Sequence, residues 1–178
     1  MSQLEIPMGP EDHIQGDDNA EYTLVEYGDY ECSHCGRAYP VVKLLQRHFG
    51  KHLRFVFRNF PLTQLHPHAE SAAESAEFAG SKGKFWEMHD LLYENQTQLG
   101  TALYEELAEQ LSLSAPQLRE ALSAREFLPR VRADFTGGVR SGVNGTPTFF
   151  INGLRHDGPW DFEDLRTAIE ETPVRSRQ

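Results

Sequence analysis

The stretch Tyr22-Thr-Leu-Val-Glu-Tyr-Gly28-Asp-Tyr-Glu-Cys32-Ser-His-Cys35 decides the architecture. Its first seven residues have strand composition and end at a glycine. Asp29-Tyr30-Glu31 is a short loop. Beyond the cysteines, Ala38, Val41, Val42, Leu45 and Phe49 recur at helical spacing until Gly50 stops the pattern, and Pro40 is expected to kink that helix. Leu53 to Phe60 is a second strand, ended by Pro61. Strand, helix, strand in this order predicts a parallel crossover unit.

Upstream, residues 1–19 are rich in Gly, Pro, Asp and Glu and read as an extended lead-in. Downstream, from about His66 to Gly142, the pattern turns wholly helical: Ala69 to Ala79, Phe85 to Tyr93, a helix opened by Ser114-Ala-Pro-Gln117, and another from Arg125 to about Arg140. Strand signals return at Thr148-Phe-Phe-Ile151. Asn152-Gly153 is a hairpin turn, so Leu154 to Asp157 should pair back on that strand. Asp161 caps a last amphipathic helix carrying Phe162, Leu165 and Ile169. The expected division is a lead-in (1–19), an α/β core (20–63 and 142–173) split by a helical insertion (64–141), and a tail (174–178).

The 178 residues hold enough apolar material, 39%, for one sizeable core. Lys and Arg number 17 against 27 Asp and Glu, a net charge of −10, which argues against nucleic acid or an anionic membrane as main partner. The acidic surface reads as solubility. No apolar run approaches the length of a membrane span, so no membrane insertion is expected. No signal peptide is evident, and the expected location is cytoplasmic as written, or periplasmic or extracellular for a processed mature form.

The chain has two cysteines, three positions apart, a pair that closes too small a loop to hold up a fold. Cys32 lies where loop becomes helix. Unpaired N–H groups and the positive dipole end there favour thiolate over thiol, so Cys32 is expected to be partly exposed with a lowered pKa. His34 is placed to add charge or a hydrogen-bond donor to that thiolate. Cys35, one turn on, faces the same side and should be more deeply buried. An exposed nucleophile beside a resolving thiol is what disulfide exchange requires. Two other readings stay open: half of a zinc site completed by two histidines, with His66 and His68 the close pair, or two inert core cysteines. Tyr27, Tyr30, Tyr39, Phe60, Trp86, Phe149 and Trp160 read as core rather than as a substrate groove, and Met88 and His89 as packing.

A second signal lies far downstream. Gly145-Thr146-Pro147-Thr148-Phe149-Phe150-Ile151-Asn152-Gly153 puts a proline at the start of a strand, where a missing donor is tolerated. A Cys-x-x-Cys after the first core strand and this downstream motif together resemble the thioredoxin superfamily. The helical block between them, with Phe85-Trp86-Glu-Met88-His89, resembles its DsbA-like branch. The likeness covers roughly residues 20–172.

That resemblance implies an α/β, thioredoxin-like fold with a helical insertion and a protein-disulfide oxidoreductase needing no cofactor and no metal. It implies Cys32 as attacking cysteine, Cys35 as its buried partner, and His34 as the histidine common in DsbA-like motifs. Pro147 matches the family's cis-proline, and the backbone of Thr146 would pair with an extended substrate. Glu26, six positions before Cys32, matches a buried acid that assists proton transfer. The implied partners are protein thiols or disulfides and a further redox protein that resets the pair. Similar domains also occur fused to membrane antiporters. Ser33 stands where DsbA has Pro, and Thr146 where it has Val, so the direction of electron flow does not follow from the resemblance. Isomerase action, or a metal-binding or redox-sensing module on the same fold, are the alternatives.

Overall fold

The computed structural model describes residues 2–174. Among them, five strands form one sheet in the order β1-β3-β2-β4-β5. Strand β2 (Tyr22–Gly28) lies parallel to β3 (Leu53–Asn59) on one side. On its other side it pairs antiparallel with β4 (Thr148–Ile151), which turns back into β5 (Leu154–His156). Helix α1 (Ser33–Phe49) makes the expected crossover from β2 to β3 and runs on through Pro40. Asn152 and Gly153 both take positive φ, 46° and 86°, the geometry of a tight hairpin turn.

Six of the seven β2 residues are buried, because both faces of the sheet are covered. Side chains alternate between faces along a strand. Val25 and Tyr27 pack with Val56, Phe60 and Phe150 on one side, and Leu24 packs with Phe55, Phe57, Phe149 and the helices on the other. By the same alternation Glu26 points to the helical side, beneath α1.

Between β3 and β4 the chain is helical: α2 (Ala69–Ser81), α3 (Phe85–Glu94), α4 (Thr101–Gln110), α5 (Ala115–Ser123) and α6 (Leu128–Arg140). The Ser114 hydroxyl accepts the Gln117 N–H, as its cap pattern predicts. Two features of this block differ from the sequence reading. Helix α4 had no predicted counterpart. The last helix of the block begins at Leu128 rather than Arg125, because Arg125 has φ +54° and breaks the backbone there. Asp161 accepts the Asp164 N–H and opens α7 (Phe162–Glu171).

The segment expected as a lead-in is instead part of the sheet. It supplies β1 (His13–Gln15), antiparallel to β3, and a bridge from Gln3 to Leu154 at the opposite edge. The cause is Arg58, buried on β3. Its guanidinium donates to both carboxylate oxygens of Asp12, to the carbonyls of Ile6 and Pro7, and to the Tyr27 hydroxyl. A buried guanidinium must find partners for its five donors, and the N-terminal segment provides most of them. Among the described residues, no helix is long and apolar enough to cross a membrane.

Candidate active site

Cys32 is the N-cap of α1, with φ −71° and ψ 123°, and the helix begins at Ser33. His34 and Cys35 therefore occupy the second and third helical positions, whose N–H groups an N-cap side chain normally satisfies. Here the N-cap side chain carries a sulfur, and as a thiol it makes no capping hydrogen bond. The Cys32 thiol is pulled down to about 5. The largest cause is a hydrogen bond from the Cys35 thiol. Burial opposes it, and the Thr146 side chain and the N–H groups of Cys35 and His34 reinforce it.

Cys35 is the opposite case. Burial pushes its thiol well up, and its own hydrogen bond to Cys32 pushes it further. The two sulfurs thus divide into a ready thiolate and a proton-holding partner. Both cysteines are free thiols.

The exposure of Cys32 is lower than expected, 4% against 0% for Cys35. The loop before β4 supplies part of the cover: the Cys32 thiol donates to the Thr146 carbonyl at 3.6 Å. The Thr146–Pro147 peptide bond is cis, and both residues are half-buried beside the pair. The Thr146 hydroxyl is buried without a hydrogen-bond partner among the described residues while Cys32 is a thiol. A thiolate would give it an acceptor.

His34 also differs from expectation. Its ring is exposed, with Nδ1 accepting from Arg37 one turn along the helix. Its backbone N–H, not its imidazole, serves the thiolate.

Glu26 is 2% exposed, and its Oε1 has no hydrogen-bond partner among the described residues. It stands opposite Phe57 on β3 and Phe149 on β4. Burial first, and then the negative charge of Cys32, raise its carboxyl to about 8. Gly28 makes the space: a β-carbon there would lie 2.5 Å from the Phe57 ring and 3.0 Å from Glu26 Oε1.

Asp29 and Gln96, to which the sequence reading gave no role, hold the loop ahead of Cys32, with His66 bound to Asp29. The buried Asp29 carboxylate accepts the Glu31 N–H on Oδ1, and the Leu62 N–H and His66 Nδ1 on Oδ2. The Asp29 carbonyl accepts the Cys32 N–H at 3.1 Å. His66, weighed above as a zinc ligand, is thus joined to Asp29 at 2.7 Å. Gln96 reaches the same loop from the helical insertion. Asp29 carries a local signal, since an Asp bonding the N–H two residues on is an Asx turn. Gln96 carries none. Tyr30, Met88 and His89 are core as expected, with the Tyr30 hydroxyl 2.9 Å from His89 Nδ1. Tyr27, Phe60 and Phe149 are buried too, and Tyr39, Trp86 and Trp160 pack against the core.

The chain as a whole resembles known proteins. The family model described as Thioredoxin matches residues 9–171. The chain belongs to the thioredoxin family. Its fold is that of the DsbA-like branch. Oxidised BdbD from Bacillus subtilis superposes with a TM-score of 0.86 at 23% identity, over 96% of this chain and 97% of that one. A thioredoxin-like oxidoreductase from Silicibacter pomeroyi gives 0.80 at 25% identity, over 91% and 92%. The α-DsbA1 of Wolbachia pipientis gives 0.80 at 18%, over 94% and 93%. By sequence, a Na+/H+ antiporter NhaA 1 of Salinispora arenicola is 46% identical over 93% of this chain, which corresponds to 26% of that protein. The chain thus spans about a quarter of the length of such relatives.

Proposed function

We propose that this chain is a thiol–disulfide oxidoreductase of protein substrates, working through Cys32-Ser-His-Cys35. One observation carries the reading: Cys32 stands at the N-cap of α1, its sulfur hydrogen-bonded by the Cys35 thiol and 3.6 Å from the Thr146 carbonyl. One sulfur is a ready nucleophile and leaving group, and the other keeps its proton until it is needed.

In the reducing direction, the Cys32 thiolate attacks a substrate disulfide. A Cys32–substrate disulfide forms, and one substrate sulfur leaves as thiolate. Cys35 then loses its proton and attacks the Cys32 sulfur. The Cys32–Cys35 bond forms, and the second substrate thiolate departs and takes up a proton. The oxidising direction reverses every step, with Cys32 as leaving thiolate. Glu26, whose carboxyl titrates at about 8, is the proton carrier for Cys35, since it can hold or release a proton near neutral pH. The backbone of Thr146 and the face of Pro147 receive the substrate as an added extended strand. His34 contributes its N–H. No cofactor enters these steps, and a second redox protein resets the pair.

The low thiolate pKa favours the reduced form, so the direction we assign is disulfide donation. That direction suits an oxidising compartment better than a cytosol kept reduced. We further read residues 64–141 as an inserted subdomain on the core of 20–63 and 142–173. Likeness to one quarter of proteins named as antiporters supports a module that also works joined to membrane partners, and no transport is assigned to it.

The test is equilibrium of the Cys32–Cys35 couple with glutathione, with Cys32→Ser as control. The expected potential is more oxidising than about −200 mV, on the disulfide-donor side of thioredoxin. A value near −270 mV would reverse the assigned direction. Stoichiometric zinc shielding both thiols in freshly purified protein would replace the enzyme by a binding module.

A further inference from the structure

Gln96 lies in the short 3₁₀ turn Gln96–Gln98 between α3 and α4, 64 residues beyond Cys32. Its side-chain nitrogen donates to the Tyr30 carbonyl at 2.9 Å and to the Cys32 carbonyl at 2.8 Å. Both hydrogens of the amide are therefore committed to the loop that delivers the nucleophile. The Cys32 carbonyl also accepts the Gly36 N–H at 3.0 Å, the first bond of α1. Gln96 thus closes onto the peptide unit where loop becomes helix.

A steric observation points to the same place. A β-carbon on Gly36 would lie 2.2 Å from Gln96 Oε1 and 3.0 Å from its amide carbon. Gly36 does not take a positive φ, so the glycine is there for space rather than for backbone conformation. The residue following Cys35 lacks a side chain because an amide from the helical insertion occupies the position.

We propose that Gln96 is a positioning residue of the redox site, a clamp by which the helical insertion fixes the Cys32 peptide and so the aim of its sulfur. Cys32 receives the Cys35 thiol and the N–H groups of His34 and Cys35 only while its own peptide keeps its orientation at the helix start. The two Gln96 hydrogen bonds hold that orientation from outside the core. The inference rests on Cys32 being the nucleophile, and it gives the insertion a part in setting the reactivity of that sulfur.

The experiment compares Gln96→Ala, Gln96→Glu, Gly36→Ala and the double variant Gly36→Ala/Gln96→Ala. Three quantities are read on the full chain: the Cys32 thiolate pKa by ultraviolet absorbance, the equilibrium constant with glutathione, and Tm. Gln96→Ala is expected to raise the thiolate pKa by about half to one unit, a roughly three- to tenfold change in thiolate equilibrium. Gln96→Glu keeps the shape but turns acceptors toward two carbonyls, and should shift it at least as far. Gly36→Ala alone should lower Tm. In the double variant the methyl fills vacated space, so Tm should recover while the thiolate pKa and the glutathione constant stay displaced. Unchanged thiolate pKa in both Gln96 variants, with Tm alone affected, overturns the proposal and leaves Gln96 a packing residue. Failure of wild type to exchange with glutathione would instead refute the oxidoreductase reading, because the thiolate titration needs no exchange partner.

Discussion

Acid titration of the reduced protein probes the site most directly. The Cys32 thiol is held at about 5, below an ordinary value near 9. Lowering a folded-state thiol pKa adds stability that is fully present above the unfolded value and is lost as pH falls through 5. At pH 7 the group lies two units above its folded pKa, which is worth about 3 kcal/mol to the reduced fold. The same energy makes the couple more oxidising by about 60 mV than one with an unperturbed thiol. The first cause of the shift is the Cys35 hydrogen bond. Such a bond to a charged acceptor contributes about 1.5–3 kcal/mol, so Cys35→Ala should move the Cys32 pKa up by about one to two units. Thiolate absorbance and alkylation rate, each followed from pH 3 to 10, report both values. A single step above pH 7 in the wild type, or an unmoved step in Cys35→Ala, would refute the reasoning.

Three further outcomes follow from neighbouring groups. Glu26→Gln removes a carboxyl whose burial raises it to about 8, so its charging costs stability increasingly as pH rises from 4.5 toward 8. The variant should gain on the order of 3 kcal/mol in denaturant unfolding at pH 7 and nothing at pH 4, while its exchange slows; equal gains at both pH values contradict this. Gly28→Ala forces a methyl to within 2.5 Å of the Phe57 ring and should cost about 1–3 kcal/mol, so an unchanged unfolding midpoint counts against the packing described. In Asp29→Asn the His66 ring loses its main support. Burial alone pulls that imidazole down, and the Asp29 hydrogen bond and charge, with Cys32 and Glu31, lift it above its ordinary value. Its NMR titration should therefore fall in the variant; an unmoved curve would mean that Asp29 does not hold it.

The core strands, the crossover and the hairpin were legible because each is written in adjacent residues. Tyr22 to Gly28 matches β2 at both ends. The cysteine pair was legible for the same reason. What escaped was written in distant pairs. The lead-in became β1 through Arg58 and Asp12, 46 residues apart. Gln96 meets Cys32 only after the insertion folds back. Glu26 was named by resemblance, but nothing local says that Phe57 and Phe149 flank it, since that depends on strand register. His34 misled because proximity in sequence said nothing of where its ring turns.

The loop over Cys32 comes from Thr146, 114 residues later in the chain. At ribosomal speeds of about 5–20 residues per second, roughly 6–23 s pass between the synthesis of the two. Through that interval β2 also lacks the strand that pairs along its second side. A nascent chain therefore carries two bare thiols, open to oxidants and to wrong partners, well before it owns the loop that governs which sulfur they meet.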